Sequence, residues 1–221
     1  GSDIEPFTIT RKNTMHDSEE VTDSFASASL VRKLIANNSD YEKFVPENVL
    51  FELENAKKSG GLHFIDNLEQ AMLYKLRSMS EADFKALPDV SQGLENRIFN
   101  SVCESVSFNE LIFKIKTKRY PLSKIRRVLL CALLDIKKSD IINSSPYARI
   151  LAMNERGCEI LKKAKKTSGI PIGTSLLKLS KTGENAKILA EIESRATDIY
   201  NLSALKKKSC KEDYSIKITK Q

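Results

Sequence analysis

Between Lys114 and Arg127 the sequence reads Lys-Ile-Lys-Thr-Lys-Arg-Tyr-Pro-Leu-Ser-Lys-Ile-Arg-Arg, a basic run with no acidic residue inside it. Closely spaced cations suit phosphates, because each neutralised phosphate releases condensed counterions. The aromatic ring of Tyr120 stands among them and could stack on a base. Lys116, Lys118, Arg119, Tyr120, Lys124, Arg126 and Arg127 are therefore the candidate nucleic-acid contacts. A solvated helix edge carries lysines in the same way, and on charge alone the two readings stand level.

A second constellation lies near the start of the chain. Arg11 and Lys12 follow a short β-forming stretch, Phe7 to Thr10, and Ser27, Ser29 and Arg32 open an amphipathic run. Backbone N–H groups and hydroxyls at a helix N-terminus attract anions, and an arginine one turn inward can neutralise phosphate. Ordinary N-capping needs one serine and no arginine, and unaided the residues favour capping. Further lysines, Lys162, Lys163, Lys165, Lys166, Lys206, Lys207, Lys208 and Lys211, would extend a basic surface only if they lie beside the first run.

Composition removes other classes of chemistry. The formal net charge of +7 favours a polyanionic partner. Cys103, Cys131, Cys158 and Cys210 are widely spaced, with no Cys-x-x-Cys pair, and His16 and His63 stand apart, so neither a metal site nor a Cys-His hydrolase is expected. Thiols in that arrangement suit a reducing cytoplasm. The longest apolar stretch, Val128 to Leu134, is too short to span a membrane.

The elements that must hold these residues are mostly helices. Serines at 24, 27 and 29 offer N-caps for a helix beginning near Ser27 and ended by Asn37-Asn38-Ser39. Pro46 opens a helix over Glu47 to Lys58, Phe64 to Met79 repeats at helical spacing, and Ser80 starts a helix stopped by Pro88. Gly93 precedes a helix over Leu94 to Val106, and Ser107 with Glu110 forms a capping box for the next. Pro121 opens a helix with Leu122, Ile125, Leu129, Ala132, Leu133 and Ile136 on one face, which leaves Lys124, Arg126 and Arg127 off it. Tyr147 to Met153 and Ile170 to Thr174 read as short strands flanking a helix over Glu155 to Lys166. A helix over Glu184 to Asn201 and an edge strand over Tyr214 to Thr219 complete the chain. The expected fold is mainly α, a helical bundle with a small α/β element near the C-terminus.

Several motifs together resemble one family. Ser24-Phe25-Ala26-Ser27-Ala28-Ser29-Leu30-Val31-Arg32 is similar to the phosphate-binding segment of nucleotidyltransferases of the HIGH superfamily. Gly93-Leu94-Glu95-Asn96-Arg97-Ile98, Thr117-Lys118-Arg119-Tyr120, Ile125-Arg126-Arg127 and Arg195-Ala196-Thr197-Asp198-Ile199-Tyr200 resemble, in order, the signature of bacterial tRNA(Met) cytidine acetate ligases.

That resemblance implies ATP-dependent activation of acetate to acetyl-adenylate, with Mg2+ accompanying the nucleotide, then acetyl transfer to N4 of the wobble cytidine of elongator tRNA(Met). It assigns Arg11, Lys12, Ser27, Ser29 and Arg32 to ATP, although Lys12 stands where the family usually has an apolar residue. It implies that residues 1–37 are the last strand and helix of a Rossmann-like nucleotide domain, and that 38–221 form a helical tRNA-binding region. The family's glycine-rich HxGH segment does not occur in the sequence, and Asn13 to His16 has the wrong spacing to replace it. No catalytic residue is therefore expected within these 221 residues, and the chain is expected to bind tRNA without completing the reaction. The competing readings are a stand-alone RNA-binding module and an adenylyltransferase acting on a small metabolite.

Overall fold

The computed structural model describes residues 5–9 and 26–220. The chain divides into two compact units, Gly1–Leu62 and His63–Gln221.

In the first unit, residues 5–9 form no strand, and Phe7 and Ile9 are 87% and 85% exposed. The strand expected over Phe7 to Thr10 is therefore not formed there. A β-former becomes a strand only when a neighbour completes its ladder, and no described residue pairs with this stretch. Arg11 and Lys12 lie outside the described residues, as does Thr10.

Helix α1 (Ala28–Ala36) begins as its capping signals require: the Ser27 hydroxyl accepts the Leu30 N–H at 3.1 Å, and Asn37 caps the other end. Helix α2 (Glu47–Ser59) follows Pro46 and ends at Gly60, whose φ of 70° is left-handed. The buried Tyr41 donates its hydroxyl to Glu54 Oε1 at 3.0 Å.

The second unit is the helical bundle. It contains α3 (Glu69–Arg77), α4 (Glu81–Ala86), α5 (Leu94–Glu104), α6 (Phe108–Ile115) and α7 (Leu122–Leu133). Ser80 and Asp83 close a full capping box on α4. On α6 the box is half built: Ser107 accepts from the Glu110 N–H, while the Glu110 carboxylate reaches past Ser107 to the Val106 N–H at 3.0 Å. That bond, with the Lys114 ammonium, holds the Glu110 carboxyl below its usual range.

Leu76, Phe84, Leu94, Ile98, Leu111, Ile115, Ile125 and Leu129 are fully buried in one cluster. Each such side chain contributes roughly 1.5–3 kcal/mol of hydrophobic stabilisation. The stripe expected on α7 is buried at Ile125, Leu129, Ala132 and Leu133, and Val128 joins it.

A small α/β element follows. Strand β1 (Ala148–Arg149) pairs in parallel with β3 (Ile172–Gly173), and α8 (Glu155–Thr167) lies between them in sequence, as a parallel connection requires. Strand β2 (Ala152–Met153) pairs in parallel with β4 (Thr219–Lys220). Short α9 (Leu176–Leu179) and long α10 (Glu184–Leu202) cover a second buried cluster around Tyr147, Leu176 and Ala190.

The edge strand expected over Tyr214 to Thr219 is confined to its end. Residues 212–214 instead form a 3-10 turn, because Asp213 is drawn inward: it accepts Arg149 Nη2 at 2.6 Å and the Thr197 hydroxyl at 3.1 Å. Arg149 also reaches Glu193 Oε2 at 3.1 Å, and Tyr147 donates to Glu193 Oε1 at 2.8 Å. The Arg149 hydrogen bond holds the Asp213 carboxyl below its usual range. Burial, reinforced by the bond to Glu193, pushes the Tyr147 hydroxyl upward.

Candidate nucleic-acid interface

The basic run occupies the bend between α6 and α7, and three devices fix its course. Thr117 closes the bend on itself: its N–H donates to the Tyr120 carbonyl at 3.3 Å and its hydroxyl accepts the Tyr120 N–H at 3.2 Å. Arg97 on α5 closes the C-terminus of α6, donating from Nε to the Ile115 carbonyl at 2.8 Å and from Nη2 to the Lys114 carbonyl. The third device is the loop between α4 and α5, which has left-handed backbone at Asp89 (φ 58°), Gln92 (φ 61°) and Gly93 (φ 84°).

That loop docks under the run. Gln92 Oε1 accepts Arg119 Nε at 3.0 Å and Nη2 at 2.6 Å, and the Gln92 carbonyl accepts the Tyr120 hydroxyl at 2.9 Å. Asp89 Oδ2 pairs with Arg127 Nε at 2.7 Å. Lys138 donates to the carbonyls of Lys85, on α4, and of Val90, in the loop, and so ties the two together.

The expected contacts fall into different roles. Lys116, Lys118 and Arg126 are exposed, and their side chains have no ion-pair or hydrogen-bond partner among the described residues. Arg119 is exposed and held by a neutral amide, so it keeps its full charge in a fixed place. Arg127 is exposed but paired with Asp89, a partner the sequence between 114 and 127 does not contain. Lys124 is half-buried, its ammonium 5.8 Å from the centre of the Tyr120 ring, with the Arg119 guanidinium 5.7 Å from the same ring.

Tyr120 corrects the expectation that it stacks on a base. It is 7% exposed and belongs to the bundle core, with its hydroxyl spent on Gln92. A ring so buried, with two cations over it, has no open face for a base. Its role is to anchor the bend and lend its π-surface to two cations.

Arg97, Gln92 and Asp89 are the positioning residues that the sequence reading did not single out. Arg97 was visible only as part of the Gly-Leu-Glu-Asn-Arg-Ile motif, and Gly93 only as the residue that precedes a helix.

In the phosphate segment, Ser27 is a buried N-cap, while Ser29 and Arg32 are exposed on the first turns of α1. The first turn of α1 holds no acidic residue, which leaves the positive end of its dipole uncompensated from within. Arg11 and Lys12 lie outside the described residues.

Among the described residues there is no cluster of His, Cys, Asp and Glu able to hold a metal ion. Nor is any helix among them long and apolar enough to cross a membrane. All four cysteines are free thiols.

Residues 1–215 match the model of the family described as HIGH Nucleotidyl Transferase, and the chain belongs to that family. Within it, the chain is similar to the tRNA(Met) cytidine acetate ligase of Alkaliphilus metalliredigens (strain QYMF), 33% identical over 211 residues, covering 91% of this chain and 50% of the relative. The tRNA(Met) cytidine acetate ligase of Thermoanaerobacter sp. (strain X514) is 35% identical over 208 residues, covering 92% of this chain and 51% of the relative. The chain thus spans about half the length of the curated relatives it matches. Its fold is shared with Thermotoga maritima TmcAL in the apo form, with a TM-score of 0.85 at 24% identity over 96% of this chain and 55% of that one. The same protein bound with alpha-thio ATP gives a TM-score of 0.78 at 24% identity, over 89% and 53%.

Proposed function

We propose that the chain is the RNA-binding part of an ATP-dependent ligase acting like the tRNA(Met) cytidine acetate ligases it is similar to, with tRNA held along the bend between α6 and α7. In this reading acetate and ATP give acetyl-adenylate, and the acetyl group passes to N4 of the wobble cytidine of elongator tRNA(Met). Residues 38–221 carry the RNA surface, and residues 1–37 belong to the nucleotide domain.

The observation that carries the reading is the arrangement of Lys116, Lys118, Arg119 and Arg126: exposed, positively charged, and attached to a bend immobilised by Arg97, Thr117 and Gln92. A solvated helix edge needs no such support. Arg119, already held by Gln92, loses less side-chain freedom on binding a polyanion, and the other three stand on a backbone whose course is set.

For ATP, the fit rests on α1. Its first turn contains no acidic residue of its own, and with Ser29 and Arg32 exposed it suits phosphate oxygens; Arg11 and Lys12 would complete the set. Mg2+ would arrive with the nucleotide, since the described residues provide no acidic cluster for it. Charge that develops on the reacting phosphate calls for preorganised donors such as the HxGH histidines. The 221 residues contain no such motif, so on their own they supply binding rather than adenylation.

The test is a pair of assays on the 221-residue chain. A mobility shift with an elongator tRNA(Met) transcript should give binding, and acetate-dependent exchange of pyrophosphate into ATP should give none. Absence of tRNA binding would overturn the RNA reading, and robust exchange would overturn the division of labour.

A further inference from the structure

With Tyr120 enclosed in the core, no aromatic ring within the basic run is open to a base. Tyr200, at the C-terminal end of α10, is 57% exposed and already stacked on one side: the ring of His63 lies parallel to it, 3.8 Å between centres and 13° between planes. The pair is immobilised from the main chain. His63 Nδ1 lies 2.9 Å from the Tyr200 carbonyl and 3.0 Å from Ser203 Oγ, and Ser203 donates to the same carbonyl at 2.7 Å. Asn67 Nδ2 holds the Ser203 carbonyl at 2.6 Å, and His63 bridges to Ala204.

We infer that Tyr200, backed by His63, is a stacking surface for an unpaired nucleobase of the bound RNA. A tyrosine with one face supported by a second ring and more than half of its surface exposed offers a rigid π-surface that any base can cover. Its setting is compatible with a phosphate backbone. The C-terminal end of a helix is electronegative and would repel phosphate, but Lys207 places its ammonium on the carbonyls of Leu202 and Ala204 and offsets that charge. Lys206 beside it is exposed. Tyr200 closes the Arg-Ala-Thr-Asp-Ile-Tyr motif, whose other polar members have internal work: Arg195 faces Asp135, Thr197 donates to Asp213, and Asp198 accepts the Lys211 N–H at 2.7 Å.

The inference rests on the reading of the chain as RNA-binding, and the experiment separates the two. Affinity for the elongator tRNA(Met) transcript is measured across salt for the wild type, Tyr200→Ala, Tyr200→Leu and Tyr200→Phe, with thermal melting as a check on folding and sedimentation as a check on association. Tyr200→Ala should weaken binding by about 5- to 100-fold. Tyr200→Phe should bind like the wild type and Tyr200→Leu should fall well short of it. All four should share one salt slope, since stacking releases no counterions. Unchanged affinity in Tyr200→Ala overturns the stacking surface and leaves the RNA reading standing, as does wild-type affinity of Tyr200→Leu, which would mean that bulk and not a ring is required. Altered association without altered RNA affinity would make the exposed Tyr200 a protein contact, which also overturns it. If the wild type binds no RNA, both readings fall.

Discussion

Arg97 and Ile115 are joined by a 2.8 Å hydrogen bond from the guanidinium Nε to the carbonyl, and the same guanidinium reaches the Lys114 carbonyl. One side chain on α5 thus satisfies two carbonyls that the end of α6 leaves open, immediately before the first exposed cation of the run, Lys116. Arg97→Ala is expected to cost about 1–2 kcal/mol, from the loss of charge-assisted hydrogen bonds. At this chain length that lowers Tm by roughly 3–6 °C. Differential scanning calorimetry checks it. RNA affinity should fall as well, because the bend loses its support, and an unchanged Tm would show that Arg97 is idle.

Gln92 separates binding from stability. It occupies left-handed backbone at φ 61°, which glycine adopts without strain, while its amide oxygen clamps Arg119. Gln92→Gly should melt at or slightly above the wild-type temperature. It should nevertheless bind RNA roughly 2- to 10-fold more weakly, because Arg119 must then be immobilised on binding. Gly93→Ala, at φ 84°, should do the reverse and destabilise by about 1–2 kcal/mol.

The buried network in the α/β element sets an acid limit. The side chains of Arg149 and Asp213 are 11% and 9% exposed and 2.6 Å apart. The folded-state pKa of Asp213 is depressed, chiefly by the Arg149 hydrogen bond. The pair's stabilisation is therefore fully present above the unfolded value, about 3.9, and lost as pH falls through the lower folded value. Chemical denaturation between neutral pH and about pH 3 should show this loss in the wild type and a flatter profile in Asp213→Asn. Arg149→Met should be worse than either at neutral pH, by about 3–5 kcal/mol, because it strands a buried carboxylate.

What the sequence revealed and what it hid follow from the range of the interactions. Ser27, Ser80, Pro46 and Pro121 mark helix starts through contacts a few residues long, and α1, α2, α4 and α7 begin where those residues place them. The chain's membership of its family was legible because several motifs recur in order. Tyr120 was misread because its hydroxyl partner, Gln92, lies 28 residues away, and Arg127 looked free because Asp89 lies 38 away. The 3-10 turn at Asp213 depends on Arg149, 64 residues earlier, while a local alternation suggested a strand. The basic run was visible from charge, but its division into free, clamped and paired cations was not.

The salt dependence of tRNA affinity tests the central claim most directly. If Lys116, Lys118, Arg119 and Arg126 each contact a phosphate, a plot of log affinity against log salt for the 221-residue chain has a slope of a few units. Arg126→Ala and Lys118→Ala should each reduce it by roughly one, Arg127→Ala by less because Asp89 already offsets that charge, and Arg32→Ala not at all. Salt-independent binding, or an equal change in Arg126→Ala and Arg32→Ala, would contradict the account.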